Sequence, residues 1–328
     1  MATLDISIAL SSNARTQPLI DGSLAPEGIR LLPTRVHPSE MFWRQLHYAD
    51  FDVSEMSLSS LLIATARGDR SWVALPVYTM RRFFQTAILV RRGSGIETPR
   101  DLIGRRVGVP EYQQTSAIWS RGILEDFHGV SPCDVEWFME RGPDRSHGSA
   151  TGFVPPAGVR LTQIPPDKDI GTMLAERELD ATLLYLPDPN LVDRARVDVR
   201  DFTRPLFTDP LRESRAYHAR TGLFPVNHAV VVRRELVERH PWIVLNLYNA
   251  FEAARASVQR TAAEWLDPFV AVGRIDEVST GLTNDPMPYG IASTRRELET
   301  LAGYVHRQGL TDRPVEFEAM FAPSTLAL

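Results

Sequence analysis

Short apolar runs alternate with amphipathic segments over the first fifth of the chain, and this alternation restricts the fold more than any other feature. Residues 4–10 read as a strand ending in the polar tip Ser11-Ser12-Asn13-Ala14-Arg15, and residues 28–33 as a second strand. Residues 39–48 have helical spacing with Met41, Phe42 and Leu46 inward. A strand over 51–56 and a helix over 57–66 follow, closed by Arg67-Gly68-Asp69. Strand–helix repetition of this kind predicts an α/β fold on a mainly parallel sheet, with sites at the carboxyl ends of the strands.

The pattern continues less regularly. Strands are predicted over 72–78, 84–90, 106–109, 179–186 and the β-branched run 226–232, and helices over 169–177, 211–219 and 298–308. The clearest helix spans 239–258, with Pro241 in its first turn and Ile243, Leu247, Phe251 and Ala254 on one stripe. The Gly/Pro/Ser-rich stretch 142–166 reads as a long surface excursion. A chain of 328 residues can build two α/β lobes, each burying its own core. Residues 1–92 plus 228–328 would form a discontinuous first lobe and 93–227 an inserted second one, with 84–90 and 226–232 as crossovers. That is the two-lobe architecture of type 2 periplasmic binding proteins, in which a small ligand lies in the cleft between lobes.

Several functions are disfavoured. The net charge of −5 and the scattered arginines argue against a nucleic-acid partner, and no apolar run approaches the ~20 residues of a membrane span. One cysteine, Cys133, and eight histidines without close pairing leave no metal-ligand spacing, so no metal is expected. There is no Walker loop, dinucleotide glycine fingerprint or G-x-S-x-G elbow, and hence no expected cofactor. The first ten residues have no basic n-region, which points to a cytoplasmic protein. A homo-oligomer is left open.

The stretch 101–124 carries the sharpest local signal. A strand ends at Pro110, the polar elbow Glu111-Tyr112-Gln113-Gln114-Thr115-Ser116 follows, and a helix opens with Ala117 and Ile118. Thr115 or Ser116 is the expected N-cap, and the unpaired N–H groups of such a helix start suit a carboxylate. Arg121 could add a full charge. His228, inside an apolar strand, is the first candidate for acid–base work because imidazole titrates near neutral pH. Glu111 is a second candidate, as a proton donor if burial raises its pKa. Glu55, Ser57 and Ser12 stand at strand ends, where they could bind a ring hydroxyl, or cap and form turns. Tyr112 could wall an aromatic ring; for Trp119 core packing is the simpler reading. Arg81 and Arg82 could clamp a carboxylate, but neighbours in an extended segment point to opposite sides, so only one should face the cleft.

GRRVGVPEYQQTSAIWSRGILEDFHGV, ARTGLFPVNHAVVVRRELVERHPWIVLNLYNAFEAAR and the late MPYG together resemble the 4,5-dihydroxyphthalate decarboxylase family. The resemblance runs in order from Glu55 to Tyr289. It implies a cytosolic enzyme on the type 2 binding-protein fold, a cofactor-independent lyase that protonates a ring carbon of a hydroxylated aromatic acid and releases CO₂. It selects Arg81 as the clamp and adds Tyr289. One departure stands out: Phe84 and Gln85 occupy the place of the family's arginine-histidine pair. That leaves open another aromatic or cyclic carboxylic acid, a dehydratase on the same scaffold, or a protein that only binds an organic anion.

Overall fold

The computed structural model describes residues 3–274 and 285–328. The chain starts with β1 (Leu4–Leu10), a single helical turn α1 (Gln17–Ile20), β2 (Ile29–Arg35), α2 (Pro38–Tyr48), β3 (Val53–Ser57), α3 (Leu58–Ala66) and β4 (Trp72–Arg81). It then crosses to a second sheet built from β5 (Leu89–Arg91), β6 (Arg106–Val109), β7 (Glu136–Met139), β8 (Arg160–Gln163), β9 (Ala181–Thr182) and β10 (Thr203–Pro205). Between these strands lie α4 (Thr115–His128), α5 (His147–Thr151) and α6 (Ile170–Ala175). After α7 (Pro210–Thr221) the chain returns as β11 (Val226–Arg233), which inserts into the first sheet in the order β2-β1-β3-β11-β4. α8 (Arg234–Arg239), α9 (Ile243–Ala271) and α10 (Arg295–Arg307) then pack around the molecule.

Both sheets are mixed rather than mainly parallel. β1 runs parallel to β2 and β3, but β11 is antiparallel to β3 and β4, and β5 is antiparallel to β9 and β10. The strands that break the parallel rule directly follow or precede a change of sheet, where the path of the crossover sets direction. The first change falls between Arg81 and Leu89, ahead of residue 92, and the return is complete by Val226. Residues 84–90 are not one strand: Phe84–Ala87 form a 3₁₀ turn and β5 is short. Only Ala181–Thr182 of the expected 179–186 strand pairs, whereas α9 runs well beyond residue 258, and Pro241 lies outside it, between α8 and α9.

The main apolar core is shared by the two lobes, with a smaller separate cluster of Ile164, Ile170, Met173, Leu174, Leu179 and Val199 in the second. One buried cluster runs from Ile6 and Leu75 of the first sheet through Ile118, Trp119 and Ile123 of α4 to Val107 and Trp137 of the second. α3 is mostly apolar and buried along nearly its whole length, with Ser59 and Ser60 finding partners inside, as befits a central helix. α4 is the strut between the lobes. Trp119 donates its indole N–H to the Val226 carbonyl at 2.9 Å, and the amide of Gln308, just past α10, donates to the Ile118 carbonyl at 2.9 Å. Gly122 lets α10 approach closely, since a Cβ there would lie 2.6 Å from the ring of Tyr304. We expect Gly122→Val to overpack this contact and lower stability by about 1–3 kcal/mol. Chemical denaturation checks it; an unchanged midpoint would mean that α4 and α10 part without cost.

Candidate active site

A cavity of about 600 Å³ opens between the two sheets. The first lobe contributes Ser12 after β1, Phe42 of α2, Ser57 at the end of β3, Thr79 of β4 and His228 of β11. The second lobe contributes Gln114, Thr115 and Ser116 at the start of α4, then Arg141 and His147 after β7. Most of these follow the carboxyl ends of strands, the usual site in such sheets.

His228 owes its position to an irregular stretch of β11. The pairing of β11 with β4 shifts register on both sides of His228, and bulges of this kind re-aim a side chain. Its Nδ1 lies 3.0 Å from Glu55 Oε2, and the Asn227 amide lies 2.7 Å from its Nε2. A carboxylate can only accept, so Nδ1 carries the proton and Nε2 accepts from Asn227. Glu55 is fully buried behind the histidine. It also accepts from the Ser11 backbone N–H at 2.7 Å, the Ser11 hydroxyl at 2.6 Å and the Thr79 hydroxyl at 2.5 Å. Burial by itself would raise the Glu55 pKa, but His228, Ser11 and Thr79 outweigh it and hold the carboxyl below its ordinary value. Glu55 therefore orients the imidazole rather than lining the cavity.

A second histidine, missed in the sequence, shares the wall. The Phe42 ring stands edge-on to both imidazoles, 4.6 Å from the centroid of His228 and 6.0 Å from that of His147. His147 Nε2 lies 3.2 Å from Arg141 Nη1 and must accept, so its Nδ1–H donates to Ser60 at 3.0 Å. Burial, and then the Arg141 charge, push its pKa well below the ordinary histidine value. His147 is a neutral, committed ring. Arg141 is itself buried and balanced by Asp193 at 2.8 Å, and it donates to Ser39 of α2 at 2.7 Å. The stretch 142–166, expected at the surface, thus carries α5 and β8 and packs His147 inward. Its glycines and polar residues hide this, and the expected strands include none at 136–139, the element that Arg141 and His147 follow.

Other candidates lie elsewhere than expected. Arg82 is on the cavity wall and Arg81 is not. Arg81 is buried and bonded to Glu297 at 3.2 Å, the Pro288 carbonyl at 2.9 Å and Thr294 at 2.8 Å. Of the pair only Arg82, just past the end of β4, faces the cleft. Arg35 joins it on the wall. Burial raises the Glu111 pKa, the condition set for a proton donor, yet its Oε2 accepts from the His147 backbone N–H at 2.9 Å and it does not line the cavity. Arg121 stacks 3.8 Å over the buried Tyr112 ring and donates to Gln308 at 2.9 Å; neither side chain reaches the cavity. Tyr289 is likewise buried away from it, its pKa pushed up to about 12 by that burial.

Ser57, Thr115 and Ser116 do line the cavity, but neither Thr115 nor Ser116 caps α4. Gln114 occupies the N-cap position, because the Thr115 hydroxyl reaches across the lobes to Ser57 at 2.9 Å and to the Ser59 backbone N–H at 3.0 Å. Phe84 lines the cavity, whereas the Gln85 amide turns to Glu213 at 3.4 Å. Among the described residues no group of three or more His, Cys, Asp or Glu is placed to hold a metal ion.

No protein-family model matches the chain. It is 32% identical over 331 aligned residues to the 4,5-dihydroxyphthalate decarboxylase of Comamonas testosteroni, an alignment covering 99% of this chain and 98% of that protein. The chain belongs to the 4,5-dihydroxyphthalate decarboxylase family. A relative of the same name from Pseudomonas putida is 39% identical over 185 residues, 56% of this chain and 71% of that one. Among solved structures, the periplasmic aliphatic sulphonate binding protein SsuA from Escherichia coli superposes with a TM-score of 0.56 at 12% identity, over all of both chains. This likeness establishes the two-lobe type 2 periplasmic-binding-protein-like fold for this member of the decarboxylase family.

The Glu55 environment has a consequence for acid stability. A glutamate in the unfolded chain titrates near about 4.3. Glu55 is held lower in the folded state, so its ionised form adds stability that is present above the unfolded value and lost as pH falls through the folded one. Glu55→Gln should lower the melting temperature near neutral pH, and its gap to the unsubstituted protein should narrow as the pH drops below about 4. Equal gaps at both pH values would show that Glu55 is not held ionised.

Proposed function

We propose that this chain is a cofactor-independent carboxy-lyase that removes CO₂ from a small hydroxylated aromatic acid of the 4,5-dihydroxyphthalate type. The observation that carries the reading is His228 on the wall of the interlobe cavity, backed by the buried Glu55, in a chain that aligns end to end with a named decarboxylase.

In the proposed reaction a retained carboxylate sits against the start of α4 and the Arg82 guanidinium. Backbone N–H groups and a planar cation both suit that anion. Gln114 adds an amide nitrogen that has no protein partner. A ring hydroxyl ortho or para to the reacting carbon pushes electrons into the ring. Protonated His228, once the Asn227 amide has turned away, gives its Nε2 proton to the carbon bearing the departing carboxylate. The C–C bond then breaks, its electron pair restores the aromatic ring, and CO₂ leaves. The imidazole is reprotonated from solvent, which supplies the one proton the reaction consumes. Glu55 holds the ring orientation and stabilises the imidazolium, while the walls of Phe42 and Phe84 favour neutral CO₂ over its charged precursor. Phe84, in place of a charged residue, suits a ligand with an apolar edge.

The test is a panel of hydroxybenzoates, phthalates and related cyclic acids, incubated without added metal or nucleotide and followed by CO₂ release and product mass. Binding across the panel without turnover would overturn the enzyme assignment. His228→Gln should cut turnover by about 10²–10⁴-fold in a folded protein, the usual contribution of a positioned acid. Near-normal turnover would remove His228 from that role. Arg82→Ala should raise KM with little change in stability, whereas Arg81→Ala should lower stability by about 3–5 kcal/mol by leaving Glu297 buried without its partner. The opposite pattern, read from KM and denaturation midpoints, would restore Arg81 as the clamp.

A further inference from the structure

The segment after β9 presents alternate side chains to the cavity. Leu184, Leu186 and Asp188 line it, whereas Tyr185, Pro187 and Pro189 do not. This is the period of an extended chain. Asp188 stands between two prolines, which fix their own φ and hold the residue before Pro189 extended. The loop is also pinned from behind. The Asn190 amide donates to the Asp188 carbonyl at 2.9 Å and to the Asp193 carboxylate at 3.2 Å, and Asp193 in turn pairs with the buried Arg141. Burial lowers the His37 pKa, and the charges of Asp193 and then Asp188 oppose it, which brings the Asp188 charge within reach of the first lobe.

Among the described residues that line the cavity Asp188 is the only acid, against Arg35, Arg82 and Arg141. Its carboxylate has no hydrogen-bond or ion-pair partner among the described residues; only its backbone carbonyl is bonded. An unpaired negative charge on the wall of a site for acids weakens binding unless the ligand brings hydrogens to it, because a carboxylate can only accept. We infer that Asp188 holds the ring hydroxyls of the ligand, its two oxygens accepting from a pair of adjacent phenolic O–H groups while Leu184 and Leu186 lie along the ring. The inference rests on the reading of the cavity as an aromatic-acid site and adds the group that selects among such acids. Hydrogen bonds from hydroxyl to carboxylate are short and charge-assisted. They also draw the phenolic protons toward Asp188, which enriches the ring carbon that has to be protonated. The same charge repels an acid that lacks the hydroxyls, so one side chain attracts the right ligand and rejects the wrong one.

Calorimetry with benzoate, 4-hydroxybenzoate, 3,4-dihydroxybenzoate and 3,4-dimethoxybenzoate tests this, since each carries only the carboxylate that the proposed reaction retains. Affinity should rise with each hydroxyl. The dimethoxy acid, which keeps the oxygens without the hydrogens, should bind no better than benzoate. Asp188→Asn should weaken the dihydroxy acid by about tenfold or more, the loss expected of hydrogen bonds to a charged group, and should tighten benzoate. The melting temperature of the empty protein should not change, because the carboxylate has no protein partner to lose. Equal losses for every acid, or an unchanged preference for hydroxyls in Asp188→Asn and Asp188→Ala, overturn the inference and leave the carboxy-lyase reading standing. So does a drop in melting temperature, which would assign the carboxylate to the loop. Hydroxyl-dependent binding that fails in both variants, without CO₂ release from any panel acid, upholds Asp188 and overturns the lyase instead. Absence of binding by all these acids overturns the inference.

Discussion

The organisation of the site rests on one buried negative charge. Glu55 sits at the end of β3 with no exposure to solvent, and an ionised carboxylate there would cost several kcal/mol without partners. Its donors come from three different places: the tip after β1, the outer strand β4, and β11 returning from the second lobe. The strand order of the first sheet is what brings them together, because β3 lies between β1 and β11. In meeting the demand of Glu55, the fold also fixes the tautomer of His228.

A second buried charge does the same from the second lobe. Arg141 of the second lobe is neutralised by Asp193, and its remaining donors go to Ser39 of the first lobe and to His147. The Thr115 hydroxyl, bonded to Ser57 and to the Ser59 amide, adds another tie across the cleft. These polar links and the shared apolar core through Trp119 hold the lobes together around the cavity. Two histidines on one wall are thereby given different characters. His147 has both ring nitrogens committed, and one of them faces a cation; His228 has a carboxylate behind it and only an amide in front.

Much of the fold was legible from residue spacing, and the site only in part. The alternation of residues 4–66 gave β1, β2, β3, α2 and α3 to within two residues, although it missed the turn α1 and β2 lies largely exposed. His228 stood out as an imidazole in a β-branched strand, and the polar elbow before α4 marked the helix start that lines the cavity. Arg81 was chosen over its neighbour by resemblance, although period-two alternation could not say which of the two faced inward. Glu111 shows a related limit: that burial would raise its pKa was foreseeable, but not that it would face a backbone amide.

The sequence by itself determined the class of fold, the presence of two sheets joined by crossovers, and the family, because these follow from local periodicity and from motifs kept in order. Only the tertiary structure decided that β11 runs against its neighbours, that the core is continuous through α4, and that Arg141 and His147 belong to the site. Those features depend on where the chain goes between elements. A residue such as Arg141 can be buried only because Asp193, far along the sequence, arrives beside it.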